Sequence, residues 1–339
     1  MKIILKVLKR IGQVIGVLIL IIIVAGLSLR IFGPDPHEPK GKLVTIDDFK
    51  LHIHADGKRN HKPTLVIEGG AGVATENYYW LNEGLKDTMR VIRYDRAGIG
   101  YSEASDTPRD PETIARELHT LLEKTGESGP YILVGHSLGG PYISVFSQLY
   151  PDEVAGMFFL DATHPKRVEK MKLPEKSSLK FKSIIWMYDA LAILGDLGIV
   201  SLYDRTFGPI LKMEGLPDEI NDRMPDFLMN GKLIQTASRE MEYYHETLQR
   251  AGEVKSYGAL PIRVFTAIEM DNEAYRKAGI DPDKRLQKTI QMNEKLANLS
   301  TNGRQILIDG NHNSIYTKKE NAAIINKEII QLLGELGYE

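Results

Sequence analysis

The chain contains no cysteine. Disulfides, thiolate catalysis and cysteine-ligated zinc or iron–sulfur centres are thereby excluded. The absence fixes no compartment, because an extracytoplasmic domain of this size needs no disulfide staples. No His-Glu-x-x-His occurs, and "EGGAGVATE" (Glu68 to Glu76) lacks the Gly-Lys-Ser/Thr ending of a phosphate loop. The sequence therefore implies no metal and no cofactor. A basic stripe is missing as well. The net charge is −2, and residues 1–33 hold five positive charges (Lys2, Lys6, Lys9, Arg10, Arg30) with no acid. The remainder carries 38 basic against 45 acidic residues, a mildly acidic body unsuited to nucleic acid. With 42% hydrophobic and 26% charged residues over 339 positions, it has the make-up of a folded globular protein.

What is present begins with one apolar run. "IGQVIGVLILIIIVAGLSL" (Ile11 to Leu29) has Gln13 as its one clearly polar residue before Ser28. Nineteen residues at about 1.5 Å each nearly span a hydrocarbon core of roughly 30 Å. Lys2, Lys6, Lys9 and Arg10 crowd its leading side, whereas Asp35 and Glu38 follow Arg30 on the other. The positive-inside rule then predicts a single-pass anchor in the cell membrane, N-terminus cytoplasmic and body extracytoplasmic. A cleaved signal peptide and a secreted body is the alternative, disfavoured by the length of the run and by a poor small-x-small cleavage site.

"GPDPHEPKGK" (Gly33 to Lys42) reads as a stiff linker. After it, "LVTI" (43–46) and "KLHIHA" (50–55) alternate as a hairpin around Asp47-Asp48. "TLVIE" (64–68), "RVIRYD" (90–95), "YILVG" (131–135), "GMFFLD" (156–161), "PIRVFTA" (261–267) and "RQILID" (304–309) read as further strands. Helices are predicted over about 111–124, 138–150, 284–299 and 318–333. This alternation predicts a mostly parallel sheet flanked by helices. It is interrupted from about His164 to Tyr257 by helical stretches rich in Met, Leu and aromatics. The expected organisation is a cytoplasmic N-terminus (1–10), an anchor (11–32), a linker (33–42), a core in two parts (43–163 and 259–339) and a helical cap (164–258).

"GHSLG" (Gly135 to Gly139) fits Gly-x-Ser-x-Gly, between a buried strand and a helix. A nucleophile on a sharp strand-to-helix turn needs that context, and glycines on either side give the turn room. Ser137 is the candidate nucleophile. A serine hydroxyl needs an adjacent imidazole to take its proton.

Five ordered landmarks resemble the α/β-hydrolase fold superfamily, over most of residues 43–335. They are "EGGAG" (68–72), "YDRAGIGYSE" (94–103), "GHSLGG" (135–140), "DATHP" (161–165) and "DGNHNSIY" (309–316). The resemblance implies a mechanism with Ser, acid and His in that order, and a late histidine as base. His312 occupies that position. The acid is Asp161, after the sixth strand, with Asp271 and Glu269, after the seventh, as alternatives. The oxyanion loop is implied at "EGGAG", with the backbone N–H groups of Gly70 and Leu138 as donors. Glu68 stands where many relatives carry His, and its charge calls for a partner such as Arg96. His136 is expected to point away from the Ser137 hydroxyl, and His164 to stand near the site.

The cap has apolar residues including Trp186, Met187, Phe207, Met224, Phe227, Leu228 and Met241, expected to form its interior and partly face the site. The reading is a membrane-anchored serine hydrolase of a small-molecule carboxylic ester, or an amide, with an apolar part. "EGGAG" also resembles the Gly-Gly-x-Gly loop of proline iminopeptidases, which makes a peptidase one alternative. A non-catalytic binding protein on this fold is the other. Dehalogenase-like relatives carry Asp where Ser137 stands.

Overall fold

The computed structural model describes residues 2–171 and 174–338. Helix α1 (Lys2–Phe32) comes first, followed by the hairpin β1 (Lys42–Ile46) and β2 (Phe49–Asp56), which turns at Asp47 in the left-handed region. β3 (Thr64–Glu68), β4 (Val91–Tyr94), β5 (Tyr131–His136), β6 (Val154–Leu160), β7 (Ile262–Ala267) and β8 (Gly303–Ile308) complete one sheet of order β1-β2-β4-β3-β5-β6-β7-β8. The β1–β2 and β2–β4 pairings are antiparallel and all others parallel. The expected mostly parallel sheet is present, with strand ends shifted by a residue or two.

Alternate residues of the parallel strands feed two cores. Val66, Leu133 and Phe159 point to one side, where α3 (Pro111–Lys124), α4 (Gly139–Leu149) and α12 (Pro282–Ala297) cover them. Leu65, Ile67, Val134 and Phe158 point to the other, under α2 (Tyr79–Leu85) and α14 (Lys319–Glu335). Burying each such side chain contributes about 1.5–3 kcal/mol, so both faces must stay covered. Helix α2 has no counterpart in the sequence reading. Its seven residues, "YWLNEGL", are too short to establish a helical period.

Between β6 and β7 the described residues form helices and loops, with one isolated bridge from Gly258 to Ser300. The helices are α5 (Arg167–Met171), α6 (Leu179–Asp196), α7 (Ile199–Phe207), α8 (Asp218–Asn221), α9 (Lys232–Glu242) and α10 (Tyr244–Ala251). Gly198, at φ +72°, splits the apolar stretch 183–204 into α6 and α7, bent by 82°. Met224, Phe227, Leu228 and Leu233 bury against Ala74 and Ile99 of the core. Trp186, Met187 and Phe207 do not join them: at 59%, 53% and 74% exposure they face outward, contrary to the expected interior role. Helical spacing marks an apolar face without saying what covers it. Here α7 packs against α1, with Gly26 close against Leu197 and Gly198.

The remaining helices are α11 (Asn272–Lys277) and α13 (Ser314–Thr317). The parallel register aligns Glu68 with Gly135, His136 with Leu160, and Ala267 with Ile308, so the loops after five strands open at one sheet edge. Ligands in open α/β sheets bind outside such carboxyl ends.

Candidate active site

Ser137 sits between β5 and α4 at φ +51°, a conformation rare for a residue with a Cβ. The turn is that tight because the flanking glycines permit it. A Cβ on Gly135 would lie 2.6 Å from the Gly139 carbonyl oxygen, and one on Gly139 2.3 Å from that of Glu68. The Ser137 carbonyl accepts from Thr163 (2.8 Å) and Gly140 (3.2 Å), fixing the turn from both sides.

Asp161, directly after β6, also has positive φ (+40°). Its N–H bonds Phe265 (2.8 Å) and its Oδ1 accepts from Ala267 (3.3 Å), so the end of β7 holds it. Its Oδ2 lies 2.6 Å from Nδ1 of His312, which stands in the loop after β8. An Nδ1–H given to this carboxylate leaves Nε2 as the basic nitrogen. Ser137, Leu138, Asp161 and His312 all line one cavity of about 850 Å³, together with Ala71, Met241, Tyr244, Glu269 and Asp271. No hydrogen bond joins Ser137 to His312 among the described residues. Glu269 is exposed, and Asp271 caps α11 by accepting from Ala274 (2.9 Å); neither bonds His312 among the described residues.

Behind the serine, His136 is buried. Its Nδ1 meets the Tyr78 hydroxyl (3.1 Å) and its Nε2 the His312 carbonyl oxygen (3.0 Å). Burial first, then the neighbouring His312, hold its pKa well below the ordinary value, so the ring is neutral. It therefore supports the loop that carries His312 through the backbone carbonyl of that residue. His164 is not among the cavity-lining residues; its Nδ1 accepts from the Lys166 N–H (3.0 Å).

The 69–72 loop is anchored by Arg96. Its guanidinium donates to the carbonyls of Gly69 (2.7 Å) and Gly70 (2.8 Å), to Glu68 (2.5 Å) and to Glu240 of α9 (2.7 Å). The Tyr94 hydroxyl also reaches Glu68. Burial pushes the Glu68 pKa up while Arg96 opposes it; burial disfavours the Arg96 cation, but Glu240 and Glu68 hold it charged. Thus Arg96 is the partner that Glu68 requires. The Gly70 N–H donates to the Tyr78 hydroxyl (3.0 Å) and is engaged in this structure. The N–H groups of Leu138 and Ala71, both at the cavity, have no partner among the described residues.

Glu240, Arg167 and Arg285 went unnoticed in the sequence. Glu240 carried one signal, an acid on the face of α9 shared with Leu233 and Thr236. The two arginines carried none.

Comparison with known proteins gives the same architecture. The sequence profile described as alpha/beta hydrolase fold matches residues 62–189. The chain is 30% identical to the uncharacterized protein YbdG of Bacillus subtilis over 188 residues, 54% of this chain and 57% of that one. It is 30% identical to the (lyso)-N-acylphosphatidylethanolamine lipase of Bos taurus, over 47% of this chain and 46% of the other. The chain thus spans about half the length of these curated relatives. Among solved structures, a thermophilic esterase from Thermogutta terrifontis superposes with a TM-score of 0.59 at 18% identity, covering 87% of this chain and 99% of that one. The chain has the α/β-hydrolase fold.

Proposed function

We propose that the protein is a membrane-anchored serine hydrolase that cleaves a carboxylic ester through an acyl-enzyme. The observation that carries this reading is the 2.6 Å Asp161–His312 contact at the cavity that Ser137 also lines. Ser137 Oγ attacks the ester carbonyl carbon as His312 Nε2 takes its proton, and Asp161 stabilises the imidazolium. In such sites the hydroxyl–imidazole bond is often long until substrate is bound. The negative oxygen is taken by the Leu138 N–H and by one donor from the 69–72 loop. Gly70 must leave Tyr78 to serve, whereas the Ala71 N–H has no partner among the described residues. The C–O bond then breaks, the departing alkoxide receives the proton from His312, and water releases the acid by the same steps. Ester is favoured over amide, because an alkoxide is the easier leaving group.

Membrane attachment rests on α1, which is long and apolar enough to cross a bilayer and is exposed along nearly its whole length. The outward Trp186, Met187 and Phe207 on the helices next to it support the same reading. The basic leading side assigns the N-terminus to the cytoplasm.

The test is labelling of the full chain by a fluorophosphonate probe, compared with Ser137→Ala. Labelling lost in the variant upholds the reading; a folded wild type that resists the probe sinks it. Protease added outside intact cells should reach the body, and full protection would reverse the orientation.

A further inference from the structure

We propose that this cavity takes an ester bearing an anionic group, a carboxylate or a phosphate, held between Arg167 and Arg285. The inference rests on the serine-hydrolase reading for the word ester, but not for the anion. Arg167 opens α5 and Arg285 lies in the first turn of α12, so the cap and the core each contribute one guanidinium to the lining. Both are half-buried. Neither has an ion-pair or side-chain hydrogen-bond partner among the described residues.

That is unusual among the buried and half-buried arginines of the described residues. Arg96, Arg109, Arg223, Arg250 and Arg263 are each paired with a carboxylate. The carboxylates at the cavity are committed or out of reach: Asp161 bonds His312, Asp271 caps α11, and Glu269 pairs with neither arginine. Around the two cations stand phenols. Arg285 lies 5.8 Å from the Tyr275 ring, and Tyr244 lines the same cavity. Burial first, then the charge of Arg167, lower the Arg285 pKa, so Arg285 lies within the field of the second cation. Two guanidinium groups drawn together without a counter-charge repel, and an anion that both can fork onto removes the repulsion. Met241, Leu286 and Met270 also line it, beside polar Thr163 and Thr289, which suits a short apolar spacer between anion and ester.

The kinetic test compares mono-p-nitrophenyl glutarate, its phosphonate analogue and neutral p-nitrophenyl valerate on the detergent-solubilised full chain. The anionic esters should exceed valerate in kcat/KM by about tenfold or more, the scale of a charge-assisted hydrogen bond. Added salt should shrink that ratio. Arg167→Gln and Arg285→Gln should each bring it toward one, mainly through KM, and Arg285→Lys should restore part. Equal rates on charged and neutral esters in the wild type overturn the proposal, as does a variant that slows all esters alike. Should both variants fail to fold, the wild-type ratio and its salt dependence decide. Calorimetry with glutarate and with inorganic phosphate reads the site without turnover. Saturable binding abolished in Arg285→Gln upholds the anion site even where the probe leaves Ser137 unlabelled, and the tighter ligand identifies carboxylate or phosphate. Binding of neither overturns it.

Discussion

Arg96 and Glu240 form an enclosed two-pronged ion pair, with Nε 2.7 Å from one carboxylate oxygen and Nη2 3.1 Å from the other. The same guanidinium holds the Gly69 and Gly70 carbonyls, so α9 of the cap is fastened to the loop beside Ser137. Removing one member of a buried pair costs about 3–5 kcal/mol when the other charge is stranded, but Arg96 keeps Glu68, which places Glu240→Ala at about 3 kcal/mol or less. Glu240→Ala should therefore lower Tm by up to about 6–12 °C at the 2–4 °C per kcal/mol typical of larger domains. Glu240→Gln, which keeps one acceptor, should lose less. Thermal melts within about 2 °C of wild type for both would show that cap and core are held elsewhere.

The Asp161–His312 contact separates the three candidate acids. If Asp161 holds the tautomer, Asp161→Asn should lower kcat by about 10⁴-fold, slow fluorophosphonate labelling as well, and leave the fold intact. Asp271→Asn keeps a side-chain oxygen that can cap α11 and should leave both stability and turnover near wild type. Steady-state rates on one p-nitrophenyl ester decide it. Near-normal turnover by Asp161→Asn would reject the assignment.

Much of this arrangement is visible in the sequence, for definite reasons. "YILVG" and "GMFFLD" are apolar on both faces, which only an interior strand sustains, so β5 and β6 and the turns after them could be located. Ser137 and Asp161 follow those strands directly, and His312 follows β8, so strand ends carried the candidate residues with them. Contacts between distant elements left no such trace. Arg96 and Glu240 are 144 positions apart, and no local period connects them. Trp186, Met187 and Phe207 show the opposite failure, because an apolar helix face looks the same whether protein or something outside the described chain covers it.

The backbone at the turn gives a steric prediction. A methyl group on Gly139 would lie 2.3 Å from the Glu68 carbonyl oxygen and 2.7 Å from that of Gly69, both backbone atoms of the loop that Arg96 holds. Gly139→Ala must push that loop away from the serine. Overpacking of this kind costs about 1–3 kcal/mol, and displaced oxyanion donors cost about 10²–10³ in kcat. Labelling rate and thermal melts should both fall. A variant labelled as fast as wild type would mean that the loop does not contribute to the reaction.

Histidines set the acid side of the stability curve. Burial, followed by nearby positive charge, pushes His54 and His164 down to about 4, and His136 is also well below its ordinary value. In the unfolded chain these rings take a proton near pH ~6.5. Between that pH and the folded pKa the unfolded state binds more protons, so stability falls as the solution is acidified. Buried Glu68 and Glu76, raised above their ordinary values, work in the opposite sense lower in the range. His52, raised by Asp95 despite its burial, contributes fully below ~6.5 and so adds no slope there. The neutral His164 ring accepts the Lys166 N–H, a role that its protonation abolishes. His164→Asn should thus destabilise the protein most at about pH 7.5, and the gap in Tm from wild type should narrow toward pH ~4.5. Melting curves across that range check it, and a gap that stays constant with pH would mean that His164 titrates alike in both states.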